Sequence, residues 1–168
     1  TQNADFQATG YQNSYHLYIP TQGLVSRILQ PLGSWMQDSG SQILDRGCSI
    51  VGRETRGAFL KLTFQQQLDA ICSDLQGEFW HEEANLVAVS YGCYLFLHAQ
   101  LHMPAFPGRV LLLSPVLGRA YASEAGVGFI PPRADQLSQS ASRHEFPRLN
   151  QAEIHVGSED WQSNPEIV

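Results

Sequence analysis

The chain has 168 residues, a formal net charge of −6 and 43% hydrophobic residues, which suits one domain with a packed core and excludes general disorder. Sixteen acidic residues oppose ten basic ones, and Lys61 is the one lysine. Such a surface repels nucleic acid, and no cluster of arginines reverses its sign.

Residues 1–14 are polar and read as an irregular lead-in. Residues 15–19 (YHLYI) alternate large side chains and predict a strand stopped by Pro20, with Pro20, Thr21, Gln22 and Gly23 as the loop after it. Leu24, Ile28, Leu32, Trp35 and Met36 recur at helical spacing, weakened by Pro31 and Gly33. Residues 48–51 (CSIV) predict a short strand running into a loop at 52–57. Thr63 is placed to cap a helix over 64–79, with Leu68, Ile71, Cys72 and Leu75 on one face.

The apolar run 85–89 (NLVAV) predicts a strand, and 93–102, apolar nearly all round, a buried helix closed by Pro104 and Pro107. A further apolar strand spans 109–113 (RVLLL) and stops at Ser114-Pro115. Residues 118–149 carry Pro131-Pro132 and several Ser and Gly, and read as a loop-rich excursion with at most a short helix. A last strand is expected over 152–156 (AEIHV).

Strands apolar on both faces, alternating with helices, predict an α/β domain spanning 1–168, with a mainly parallel sheet covered by helices on both faces. Right-handed crossovers then gather the loops after the strands along one sheet edge, where such sheets bind ligands. No apolar run approaches the roughly 20 residues of a membrane span. Cys48, Cys72 and Cys93 are widely spaced and form no CxxC pair, which argues against a disulfide scaffold or a zinc knuckle. Thr1-Gln2-Asn3-Ala4-Asp5 has neither a basic region nor an apolar run, so no export signal is expected, and a cytoplasmic location is.

The segment Ala88-Val89-Ser90-Tyr91-Gly92 carries the chemistry. A buried strand runs straight into a serine with a helix close behind, and small residues stand two positions before and after it, as a cramped strand-to-helix turn requires. Such a turn exposes the hydroxyl at the sheet edge, over a helix N-terminus that favours negative charge. A serine in this place can also be a routine N-cap.

This segment resembles the nucleophile elbow G-x-S-x-G of the α/β-hydrolase family, with Ala88 in place of the first glycine. Residues 109–115 (RVLLLSP) resemble the strand after the elbow helix. Gly157-Ser158-Glu159-Asp160-Trp161, with Pro165 beyond, is similar to the segment bearing the triad acid, and Pro20, Thr21, Gln22 and Gly23 lie where the oxyanion loop would be. The resemblance implies a hydrolase-like fold with a small lid or none. It also implies a serine hydrolase that cleaves a small carboxylic ester or thioester through an acyl-enzyme on Ser90, with no metal and no organic cofactor. Tyr91 and Gln22 would supply the oxyanion N–H groups, and Asp160 would orient a histidine.

The family's order is serine, acid, histidine, and no histidine follows Asp160 in this sequence. Three expectations stay open: the sequence stops short of the segment that carries the histidine, His144 is the base, or the domain is non-catalytic and binds a ligand or a protein. Elsewhere, His98 and His102 have a spacing that could hold a metal but read better as core or surface histidines, since no third ligand is evident. Arg53-Glu54-Thr55-Arg56 reads as a substrate-anion contact or, more simply, a mutually neutralising cluster. Trp35, Phe79 and Trp80 read as helix packing, and Trp161 as either packing or a pocket wall. Oligomeric state and acyl preference leave no mark in the sequence.

Overall fold

The computed structural model describes residues 16–21, 49–54, 57–77, 79–122, 127–158, 160 and 163. Strands β1 (His16–Thr21) and β2 (Ser49–Glu54) come first, then helix α1 (Phe64–Gln76), strand β3 (Asn85–Val89), helix α2 (Tyr91–Gln100) and strand β4 (Arg109–Leu113). A short hairpin of β5 (Ala120–Ala122) and β6 (Val127–Phe129) leads to helix α3 (Gln136–Ser142) and strand β7 (Gln151–His155). The described architecture is α/β. Five strands form one parallel sheet in the order β2-β1-β3-β4-β7, and β5 pairs antiparallel with β6.

The sheet order places a topological switch beside β1. From β1 the chain moves one way to β2, then returns past β1 to β3 and continues the other way through β4 to β7. Connections that leave in opposite directions open a crevice at the carboxyl ends of the two strands between them. The ladders agree with this. β1 pairs with β2 along its whole length, to Thr21 and Glu54, but with β3 only at Leu17–Asn85 and Tyr18–Leu86. Toward the carboxyl edge β1 therefore follows β2 rather than β3.

Local sequence accounts for the elements. Thr63 caps α1 with a reciprocal pair: its hydroxyl accepts from the Gln66 N–H at 3.3 Å, and its own N–H donates to Gln66 Oε1 at 2.9 Å. Leu68, Ile71 and Leu75 form the buried face of α1. α1 packs on α2, and α2 lies against β1 and β3. Nearly every side chain of α2 is buried, Leu97 being the partial exception. In the sheet, Leu86 and Ala88 of β3 stand in register with Val110 and Leu112 of β4, all four buried, while Val87 and Leu111 on the opposite face are partly covered.

Several boundaries differ from the sequence reading. β1 continues through Pro20 to Thr21, because the ladder to β3 has already ended there and the missing proline N–H breaks no bond on that side. β2 runs on to Glu54. α1 ends at Gln76, where Gly77 follows, rather than at Phe79. α2 begins at Tyr91 rather than Cys93 and ends at Gln100, followed by turns in which the N–H groups of Leu101 and His102 bond back three residues. The predicted helix over 24–36 lies outside the described residues.

The excursion is more ordered than its composition suggested. Ala120, Ala134 and Leu137 are buried, and the Tyr94 hydroxyl donates to the Pro132 carbonyl at 2.6 Å. Arg133 donates to Gln65 Oε1 at 2.9 Å and covers the Phe64 ring. Gly118 is required by close approach, since a Cβ there would lie 2.7 Å from the Ala134 carbonyl oxygen. Helix α2 lies against the sheet at β1 and β3, whereas the expected cover does not reach β7, where every residue is exposed, Ile154 at 47%. As the outermost strand of the described sheet, β7 has a neighbour on one side there.

Candidate functional site

Ser90 joins β3 directly to α2, and its backbone adopts φ 52° and ψ −117°. A side chain with Cβ rarely takes this conformation, which costs about 1–3 kcal/mol and persists only where neighbouring structure enforces it. The enforcement is visible. The Ser90 N–H donates to the Leu113 carbonyl at 2.9 Å, and the Ser90 carbonyl accepts from the N–H groups of Cys93 at 3.0 Å and Val116 at 3.4 Å. Ala88 and Gly92, on either side of the turn, are both buried. An ordinary N-cap has extended dihedrals and bonds its side chain to the second or third N–H of its helix. Ser90 has neither, so the cap reading does not describe it.

The residue is 8% exposed, and among the described residues its hydroxyl has no hydrogen bond. Beside it lies the N–H of Tyr91, the first residue of α2, in the class of helix-start donors that find no carbonyl within their own helix. The aligned peptides of α2 add a positive potential at this end. A developing oxyanion at Ser90 would meet that donor and that potential.

The edge continues across the sheet. One residue past β4, Ser114 repeats the pattern with φ 46° and an N–H donated to the His155 carbonyl at 2.8 Å. Past β7, Asp160 closes a turn by donating its N–H to the Gly157 carbonyl at 3.1 Å, and it is half-buried. β7 stands two strand spacings from β3, about 10 Å. Ser163 returns the chain to the intervening loop through a buried hydrogen bond of 2.7 Å to the Pro115 carbonyl. Ser90, Tyr91 and the Asp160 loop are thus gathered on one sheet edge. Gln22 lies outside the described residues; β1, which leads to it, ends at the same edge on the other side of the switch.

The histidines take other places. His98 is fully buried on α2, edge-on to Phe64 and Tyr94, and both ring nitrogens lack a partner. Burial, aided by the positive charges of Arg133 and His102, pushes its pKa down to about 4, so it is neutral near pH 7. His102 is exposed beyond the end of the helix, so the two share no ligand face. Among the described residues no group of three His, Cys, Asp or Glu side chains is placed to hold a metal ion. His144 is exposed after α3, and exposed His155 faces Glu153 at 3.3 Å. No histidine is hydrogen-bonded to the Ser90 hydroxyl among the described residues.

Other candidates resolve into structure. Arg53 forms a two-pronged ion pair with Asp74 of α1 and covers the Phe59 ring, which binds β2 to α1. Phe79 is core, and Trp80 packs edge-on to Phe106. Cys93 is buried near the Leu113 carbonyl, and burial pushes its thiol up to about 12, so it remains protonated. Trp35 and Trp161 lie outside the described residues. Gln67 was missed. It falls four residues before Ile71 on the apolar face of α1, a buried polar residue whose hydrogen bond to the Tyr91 hydroxyl reaches the elbow. Its place in that apolar stripe was the available signal.

No family model, no curated protein and no solved structure matches the chain. Among the described residues no helix is long and apolar enough to cross a membrane.

Proposed function

We propose that this chain is an α/β-hydrolase-type serine hydrolase, cleaving a small carboxylic ester or thioester. The observation that carries the reading is Ser90, a non-glycine residue forced to positive φ between a strand and a buried helix, with its hydroxyl unused by the helix. Ser90 Oγ attacks the acyl carbon and passes its proton to a histidine, a role that no histidine among the described residues fills. The oxyanion accepts hydrogen bonds from the Tyr91 N–H and from an N–H of the loop after β1, at Gln22. Collapse expels the alcohol or thiol, which takes up that proton, and leaves the acyl group on Ser90. Water then attacks with the same histidine as base, releasing the carboxylic acid and restoring the serine. Asp160 orients the histidine and stabilises its charged form. This chemistry uses no metal and no organic cofactor. Location in the cytoplasm is part of the proposal and accords with the free thiols of Cys72 and Cys93.

The absence of a histidine on the Ser90 hydroxyl among the described residues favours a second reading: a non-catalytic domain of the same architecture that binds a ligand or a protein at this edge. A fluorophosphonate probe separates the two. Covalent labelling that disappears in Ser90→Ala supports the hydrolase; a folded protein that takes no label supports the binding domain.

A further inference from the structure

The Tyr91 hydroxyl meets Gln67 Oε1 at 2.9 Å, across 24 residues of sequence, and both side chains are buried. The other end of the Gln67 amide donates to two carbonyls that precede α1, Leu62 at 3.1 Å and Phe59 at 3.4 Å. Carbonyls can only accept, so the NH2 group must face them and Oε1 must face Tyr91. The Tyr91 hydroxyl is therefore the donor, and the glutamine cannot flip without setting oxygen against two oxygens. Between its anchored ends the Tyr91 ring stacks on Tyr94, with centroids 5.8 Å apart and planes 19° from parallel, and meets Phe129 edge-on.

Tyr91 is thus fixed at two points: its main chain follows the forced turn, and its ring tip is tied to α1. The first turn of α2 cannot rotate without breaking the Gln67 bond or the edge-on contact with Phe129. We infer that Gln67 is a positioning residue for the elbow, setting through the Tyr91 ring the direction of the Tyr91 N–H. This inference rests on the hydrolase reading, in which that N–H receives the developing oxyanion.

Removing an oxyanion donor outright costs about 100- to 1000-fold in turnover, so misdirecting one should cost about tenfold. The test is the rate of fluorophosphonate labelling against probe concentration for wild type, Tyr91→Phe, Gln67→Met and the double variant, with Ser90→Ala as control. Tyr91→Phe deletes a single oxygen and keeps the ring, so it serves if Gln67→Met fails to fold. The expected result is a limiting labelling rate about tenfold lower in each single variant, an unchanged half-saturating concentration, and a double variant no slower than either single one. A labelled wild type whose variants label at the same limiting rate, differ only in half-saturation, or lose rate additively overturns the inference alone. A wild type that takes no label overturns the hydrolase reading beneath it.

Discussion

Two helices that pack on each other begin in opposite ways. α1 starts at Thr63, whose extended backbone (φ −62°, ψ 155°) and side-chain oxygen satisfy the helix end in the ordinary manner. α2 starts at Ser90, whose backbone is forced to φ 52° by hydrogen bonds from the neighbouring strand and loop, and whose hydroxyl does nothing for the helix. At Thr63 the side chain stabilises and the backbone is relaxed. At Ser90 the backbone is held under strain and the side chain makes no cap hydrogen bond. Strain of this kind clusters at functional positions, and the proposal for Ser90 is built on that tendency.

Substitutions at the two starts should separate these roles. The largest effect is Ser90→Ala, which should abolish fluorophosphonate labelling entirely while Thr63→Ala labels like wild type. Next comes pH. His98 is held at about 4 when folded against about 6.5 unfolded, so between those values the unfolded chain binds more protons and stability falls as pH falls. The loss approaches about 3 kcal/mol below pH 4. Urea melts at pH 7 and pH 4.5 should show this slope, and His98→Leu should reduce it; an equal slope in the variant would assign the acid sensitivity elsewhere. Third, Ala88→Leu should destabilise by about 2 kcal/mol through overpacking beside the turn and slow labelling as well. Fourth, Thr63→Ala should cost about 1 kcal/mol through loss of the cap. Smallest of all, Ser90→Ala should change stability by less than about 0.5 kcal/mol, since no cap is lost. Equal costs at Thr63 and Ser90 in denaturant unfolding would erase the distinction between the two starts.

Much of this arrangement was legible beforehand where short-range chemistry decides it. The strands at 85–89 and 109–113 lie where their apolar runs and flanking breakers put them, and Thr63 caps α1 as its hydroxyl and the following apolar periodicity imply. The abrupt passage from Val89 into Ser90 was legible too, because only a tight turn fits between a buried strand and a helix apolar on all sides. Less legible were features that depend on a distant neighbour. Pro20 stays inside β1 only because the ladder to β3 has ended, and the excursion folds onto α1 and α2 through Tyr94 and Arg133, contacts 38 and 68 residues long. The place of Gln67 in the apolar stripe of α1 marked it as buried, but its partner, Tyr91, 24 residues away, was not legible.

The amino-acid sequence on its own determined that this chain alternates apolar strands and helices and that a serine sits at the tightest of its strand-to-helix turns. Those properties follow from side-chain size, hydrophobic spacing and backbone freedom over a few consecutive residues. Tertiary structure alone decided that Ser90 is forced to positive φ rather than relaxed into a cap, because the forcing groups, Leu113 and Val116, belong to the neighbouring strand and its loop. It also decided which loops share the edge with Ser90. That depends on the order of strands in the sheet, a property set by packing of the whole domain and written in no single stretch of it.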